Sequence, residues 1–505
     1  GVWCDFLTLL RLELLRAVSK AATMSFKDPP TLQQLARRSL LKDEALTISA
    51  LPNLPVQLFP PLFKDAFTSR HPNILRQMVA AWPFPTLPVG ALMKIPHLET
   101  LKAVLDGLDL LMSQKDRPSR WNLQVLDLRD AHQDFWDGWA GLLHEVCSQD
   151  VFGKNQPVGN HPILGENQTV TIKMNLSLMS RRPSKYLKYL YRWAKERKNG
   201  IQVICEKLEF GAIPAYDPLN ILKVFDAASI QELAINTRWD IYTLASLAPG
   251  VGRMKNLQKL LFKQICIPWD RPWDLEKEAC CVTEIFSQFS KLHKLQHLYL
   301  NDVYFLTERL DQMLRCFKGP LETLAITHCI LSESDMMYLS QCPSTHQLKH
   351  LDLSGVTFIL SHPFLGSLLE RLTATLQTLK LKGCMLMDWQ ISDLLPALSQ
   401  CSQLTEVNFV NNFLSMDSLK KLLQHTANLT QLTLEKYPAP DEVYDDRDGV
   451  IPDRFVRLCS ELMYTLKGVR QPKQVYFVSK MFSYCWNFCI YSFVGNIEGE
   501  VIARL

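Results

Sequence analysis

This chain predicts an α/β solenoid of leucine-rich repeats, and three observations predict it. First, one pattern recurs between Leu295 and Leu434: Leu, two residues, Leu, one residue, an apolar residue, two more, then a small or polar residue. Second, successive first leucines stand 26, 27, 28, 28 and 25 residues apart, counting from Leu295 through Leu321, Leu348, Leu376 and Leu404 to Leu429. Third, each copy passes from strand-like alternation to helix-like spacing. Period and consensus are those of a leucine-rich repeat. Neither a short strand nor a short helix buries its apolar face alone, so stacked neighbours supply one continuous core.

The elements follow in chain order. Residues 1–23 read as an upstream extension, because the first methionine is Met24. The apolar run from Val2 to Leu10 is broken by Asp5 and has no basic segment before it, which argues against a secretory signal. Residues 24–120 form an N-terminal helical cap. Within it, Thr31 to Leu51 predicts a single helix, bounded by Pro29 and Pro30 before and Pro52 after. Residues 121–294 carry irregular repeats, with cores at Leu123, Leu126 and Leu128, at Leu208 and Phe210, at Ile230, Leu233 and Ile235, and at Leu257, Leu260 and Phe262. Two inserts read as loops, Asp150 to Glu166 and Ile267 to Ala279. Residues 295–440 hold the regular repeats, with strands at the leucine pairs and helices such as Asp388 to Leu398 and Ser415 to Leu423. Residues 441–505 form a C-terminal cap and tail, opening on an acidic surface loop from Asp441 to Pro452.

Composition narrows the function classes. Hydrophobic residues make up 47% and charged residues 21% of the 505, as in an ordinary soluble globular protein. A net charge of +4 and the lack of a dense Lys/Arg stripe argue against nucleic acid as partner. The most basic patch, Arg181 and Arg182 with Lys185, Lys188, Arg192, Lys195, Arg197 and Lys198, reads as the solvated face of a helix, with a partner or nuclear-import contact as the alternative. Fourteen scattered cysteines fit a reducing cytoplasmic compartment, with the nucleus as a second location, better than a disulfide framework. No apolar run approaches ~18 residues, so no membrane span is expected. The sequons at Asn167, Asn175 and Asn428 would be idle in the cytosol.

Catalytic signatures are missing from the sequence: no Gly-rich phosphate loop, no G-x-S-x-G elbow and no H-E-x-x-H. No cofactor or metal is expected. His293, His297 and His328 read as surface histidines. Cys485 and Cys489 lack the second ligand pair that zinc needs. Three L-x-x-L-L runs, at Leu257, Leu365 and Leu419, are by-products of the repeat and its helices. What remains is a binding surface. In each strand the residues beside the leucines point away from the core, onto the inner face. His297, Tyr299, Asn301, His350, Asp352, Lys380, Lys382, Asn408 and Glu435 are therefore the expected contacts for a protein partner, with Tyr299 as the aromatic anchor.

Five segments carry a family resemblance: Ser39 to Leu46 (SLLKDEAL), Leu54 to Phe63 (LPVQLFPPLF), Ala81 to Phe84 with Leu87 and Pro88, Leu123 to Arg129 (LQVLDLR), and Leu466 to Pro472 (LKGVRQP). They resemble the PRAME family, nearest to its rodent PRAME-like members, from about Met24 to about Val475. The resemblance implies a horseshoe fold like that of ribonuclease inhibitor. It also implies substrate recognition within cullin-2 RING ubiquitin ligases, and roles in proliferation, differentiation and cell death, without catalysis by this chain. Thr31, Leu32, Ala36 and Leu40 resemble the box that binds elongin C of elongin B/C, although Cys is usual where Ala36 stands. Leu54, Pro55 and Leu58 resemble the cullin-2 box. The competing class is an interaction scaffold or transcriptional corepressor without a ligase.

Overall fold

The computed structural model describes residues 31–93, 97–114, 120–137, 169–182, 184–215, 217–267, 274–357, 364–480, 487–495 and 497–504. The chain divides into two compact units, Gly1–Leu87 with His97–Leu123 and His132–Gln156, and Pro88–Pro96 with Gln124–Ala131 and Pro157–Leu505.

The first unit is mostly helical: α1 (Leu32–Lys42), α2 (Glu44–Ala50), α3 (Phe59–Thr68), α4 (Pro72–Ala80), α5 (Leu98–Ser113) and α6 (Gln133–Asp137), with a short strand, β1 (Thr86–Leu87). The helix expected over residues 31–51 is split. Asp43 leaves helical geometry at φ −119°, ends α1 and caps α2 by accepting from Leu46 N at 3.0 Å. A short polar side chain that can bond the next turn favours this break over continuation. The core is aromatic. Phe63 meets Trp82 edge-on at 5.3 Å and stacks on Trp136 at 5.8 Å, and Trp82 Nε1 donates to Thr86 O at 3.0 Å. Gly107 lets α5 cross α4 closely, since a Cβ there would lie 2.7 Å from Val79 Cβ.

The second unit is the solenoid. Its sheet runs through β2 (Val125–Asp127), β3 (Val170–Leu178), β4 (Ile201–Phe210), β5 (Glu232–Ile235), β7 (Lys259–Cys266), β8 (His297–Val303), β9 (Thr323–Thr327), β10 (His350–Asp352), β11 (Thr378–Lys380), β12 (Glu406–Asn408), β13 (Leu434–Pro438) and β14 (Gln474–Val478), all parallel, with β6 (Trp239–Asp240) beside β7. Antiparallel β15 (Asn487–Val494) and β16 (Ile497–Arg504) finish it. In register, Leu260, Leu298, Leu324, Leu351, Leu379 and Val407 stand side by side, each at most 1% exposed. Helices follow the strands: α7 (Lys185–Glu196), α8 (Pro218–Leu222), α9 (Ile241–Val251), α10 (Leu275–Phe289), α11 (Leu310–Leu314), α12 (Glu333–Gln341), α13 (Phe364–Glu370), α14 (Asp388–Leu398), α15 (Met416–His425) and α16 (Pro452–Val469). The expected strands and the two expected helices are all present. In the three L-x-x-L-L runs, the first two leucines of the first run and all three of the others are buried.

The first five regular repeats turn off the sheet through a residue of positive φ: Asp302 (53°), His328 (53°), Gly355 (75°), Gly383 (66°) and Asn411 (61°). The next residue is the small or polar position of the pattern. There Asn412, wholly buried, accepts from Cys384 N and Leu386 N at 3.1 and 3.0 Å and donates to Leu381 O and Phe409 O at 2.8 Å each. Cys329 and Cys384 do the same work with a thiol, donating to Leu300 O and Leu353 O. In these three repeats the polar side chain satisfies main-chain groups that the turn leaves inside the core, whereas Val303 and Val356 fill the same position in the other two.

Two expectations are corrected. The insert from Ile267 to Ala279 is not loop throughout: α10 begins at Leu275, and Asp274 caps it by accepting from Lys277 N at 3.1 Å. Glu435 does not belong to the exposed face. It pairs with Val407 and Val475 in register and is wholly buried. The last regular repeat therefore starts at Leu432, 28 residues after Leu404, rather than at Leu429. Glu435 and Tyr437 fill its two core positions. Arg470 makes this tolerable, since its guanidinium donates to Glu435 Oε2, which also accepts from Tyr437 OH at 2.7 Å. The Tyr437 ring lies between Phe409 at 6.2 Å and Phe477 at 5.8 Å. The loop from Asp150 to Glu166, residues 1–23 and Cys485 lie outside the described residues.

Candidate functional site

Two surfaces hold the candidate residues, one in each unit. In the first unit α1 begins with a capping box: Gln34 N donates to Thr31 Oγ1 at 3.2 Å, and Thr31 N to Gln34 Oε1 at 3.0 Å. This self-contained start projects the first turn outward. Leu32 is 85% exposed and Leu35 47%, and Ala36 is exposed as well. Three residues of spacing put Leu32 and Leu35 on one side of the helix, with Ala36 beside them. Leu40 is half-buried, and Arg37 Nε holds α1 to α3 through Asp65 Oδ2 at 2.8 Å. Thr31, Leu32 and Ala36 are thus presented together, and Leu40 only in part.

The second segment is presented differently. Leu54 is 8% exposed, withdrawn into its own unit. Arg120 fixes the main chain there, donating to Pro52 O and to Leu54 O. Pro55 is exposed and Leu58 half-buried. Leu35, Leu46 (53% exposed) and Val56 (36%) are apolar surface positions that reading the boxes missed. The spacing of Leu35 from Leu32 was the available signal for the first. Nothing local marks the other two.

In the second unit, the strand residues that alternate with the core leucines are mostly half-buried and form lateral pairs between repeats. His297 Nδ1 lies 2.9 Å from Thr323 Oγ1, and His350 Nδ1 3.0 Å from Thr378 Oγ1. Asn301 Nδ2 donates to Thr327 Oγ1 at 2.6 Å, and Lys380 pairs with Glu406 at 3.2 Å. Lys259 sits over the Tyr299 ring at 5.4 Å. Lys349 bonds Glu322 at 2.9 Å and holds that carboxyl below its usual range. Asp352 and Asn408 accept from the main-chain N–H of Ser354 and Val410, which orients them for the turn. Eight of the nine expected residues share this face. Glu435 is the exception, and in its place the register puts Lys436 beside Asn408. Lys436 thus joins Lys380 and Lys382 on this face, a position hidden from a reading that put Leu434 in the core. Among the described residues no group of three or more His, Cys, Asp or Glu could hold a metal ion. No helix among them is long and apolar enough to cross a membrane.

Residues 29–136 match the PRAME N-terminal domain and residues 170–495 the PRAME C-terminal domain. The chain belongs to the PRAME family. Human PRAME family member 12 is 45% identical over 459 residues, covering 90% of this chain and 93% of that protein. Human PRAME family member 20 is 43% identical over 469 residues, covering 93% and 98%. Among solved structures, an internalin from Listeria monocytogenes superposes with a TM-score of 0.24 at 16% identity, covering 47% of this chain and 72% of the internalin, too loose a likeness to add to the argument. The exposed first turn of α1 falls within the PRAME N-terminal match, and the lateral pairs of the sheet within the C-terminal one.

Proposed function

We propose that this PRAME-family chain is a non-catalytic substrate receptor of a cullin-2 RING ubiquitin ligase. The first turn of α1 binds elongin C of elongin B/C, the Pro55–Leu58 segment meets cullin-2, and the exposed sheet face of the repeats holds a protein to be ubiquitinated in the cytoplasm or nucleus. The chain positions its substrate, and other subunits perform the transfer. The observation that carries this reading is Leu32, a leucine 85% exposed on a rigidly capped helix. A leucine side chain buried on binding contributes roughly 1.5–3 kcal/mol, and exposure of this size leaves nearly all of that to be gained from a partner.

Leu32→Ser tests the proposal. The variant should keep its melting temperature, because Leu32 supports nothing in its own unit. It should lose elongin and, with it, cullin-2, by about tenfold or more. Pro55→Ala with Leu58→Ala should keep elongin and lose cullin-2. Undiminished elongin capture by folded Leu32→Ser would end the ligase reading at this site. Burial of Leu54 favours a second reading, an interaction scaffold without cullin. That reading stands if elongin is captured but cullin-2 never is.

A further inference from the structure

The early repeats contain a cavity that neither surface uses. A space of about 240 Å³ is lined by residues of β3, β4, α7 and α8. Its walls are the side chains of Met174, Leu176, Leu178, Leu190, Ile221 and Phe225, with Ala194 at the helix side. The polar groups stand at the rim. Tyr191 OH donates to Asn220 O at 2.8 Å, and Asp217 caps α8 by accepting from Leu219 N at 3.0 Å, so both are engaged. Lys188, also at the rim, is exposed and has no partner among the described residues. Lys185, Lys188, Arg192 and Lys195 follow helical spacing and form one basic stripe along α7, of which Lys188 alone lines the opening.

We infer that this cavity binds an anionic single-chain amphiphile, a medium-chain carboxylate whose hydrocarbon fills the space and whose headgroup lies against Lys188. The walls decide the ligand class. A peptide inserted there would leave its main-chain groups without partners, which is costly in an apolar site. A hydrocarbon chain has none to satisfy. The volume sets the length: a 150 Å³ apolar cavity accepts benzene, so 240 Å³ accommodates about ten carbons. The charge sets the head, because Lys188 is the one cation of the lining and has no partner among the described residues, whereas the Asp217 carboxylate is engaged as a helix cap.

The experiment titrates the full chain with sodium decanoate, below its micelle concentration, by calorimetry, and repeats the titration with 1-decanol. Expected is saturable binding of one decanoate per chain. Ala194→Phe should fill the cavity and weaken binding at least about tenfold. Lys188→Glu should weaken decanoate about two- to fivefold, the range of an exposed charge pair, while leaving 1-decanol unchanged. If Ala194→Phe fails to fold, the Lys188→Glu comparison of the two probes decides alone, since that side chain is exposed. No saturable decanoate binding, equal binding by folded Ala194→Phe, or an equal loss of both probes in Lys188→Glu would overturn the inference.

Discussion

Replacing Arg470 by alanine should unfasten the end of the solenoid. Glu435 is 0% exposed and the Arg470 side chain 7%, so the pair is a buried one. Glu435 Oε2 accepts from Arg470 and from Tyr437 OH, while Oε1 has no partner. Arg470 also donates from Nε to Thr426 Oγ1 at 3.1 Å. Removing the cation leaves an uncompensated carboxylate between Val407 and Val475, in the row of core positions. Breaking such a pair costs about 3–5 kcal/mol. Replacing both partners by apolar residues is often neutral or stabilising, by up to about 4 kcal/mol. The double variant Glu435→Val with Arg470→Met should therefore recover most of what Arg470→Ala loses, and Glu435→Val restores the valine of the neighbouring strands. Because repeat proteins unfold in sections, the assay is hydrogen exchange of the β13 and β14 amides alongside urea melts. If Arg470→Ala costs less than about 1 kcal/mol, or the double variant is no better than the single, the pair is not what holds this end together.

Three further outcomes follow from the same structure. Asn412→Ala leaves two main-chain donors and two acceptors unpaired in the core, so it should destabilise the chain by about 3 kcal/mol in urea melts, and a loss below about 1 kcal/mol would refute the role assigned to it. Burial holds the His350 imidazole below its usual 6.5, with the charges of His297 and Lys349 adding to the effect. The unfolded chain then takes up this proton more readily, so the stability His350 contributes is full above about pH 6.5 and is lost as pH falls through the lowered folded value. His350→Gln should flatten stability between about pH 7 and pH 5, and an unchanged slope would count against the assignment. Tyr299→Ala with Lys380→Glu should change the set of proteins captured from lysate while sparing elongin, and an unchanged set would remove the sheet face as the recognition surface.

The residues themselves determined the repeat. Leucines at three-then-two spacing, about 28 residues apart, stack in only one way, because the strand must face them inward and the helix must cover them. The expected strands from Leu298 to Val407 and both helices, α14 and α15, follow from that local pattern. The eight residues that face away from the core follow from the same alternation. The start of α1 was also legible, since a capping box can be read from Thr31 and Gln34 alone. Only tertiary structure decided the register of the last repeat. A glutamate in a core row contradicts the pattern locally, and Arg470, 35 residues away in the chain, is what compensates it. Only tertiary structure withdrew Leu54 into its own unit and left the space lined by β3, β4, α7 and α8. Both depend on partners distant in sequence, and the alternation of apolar and polar residues records which face a side chain takes, not how closely its neighbours approach.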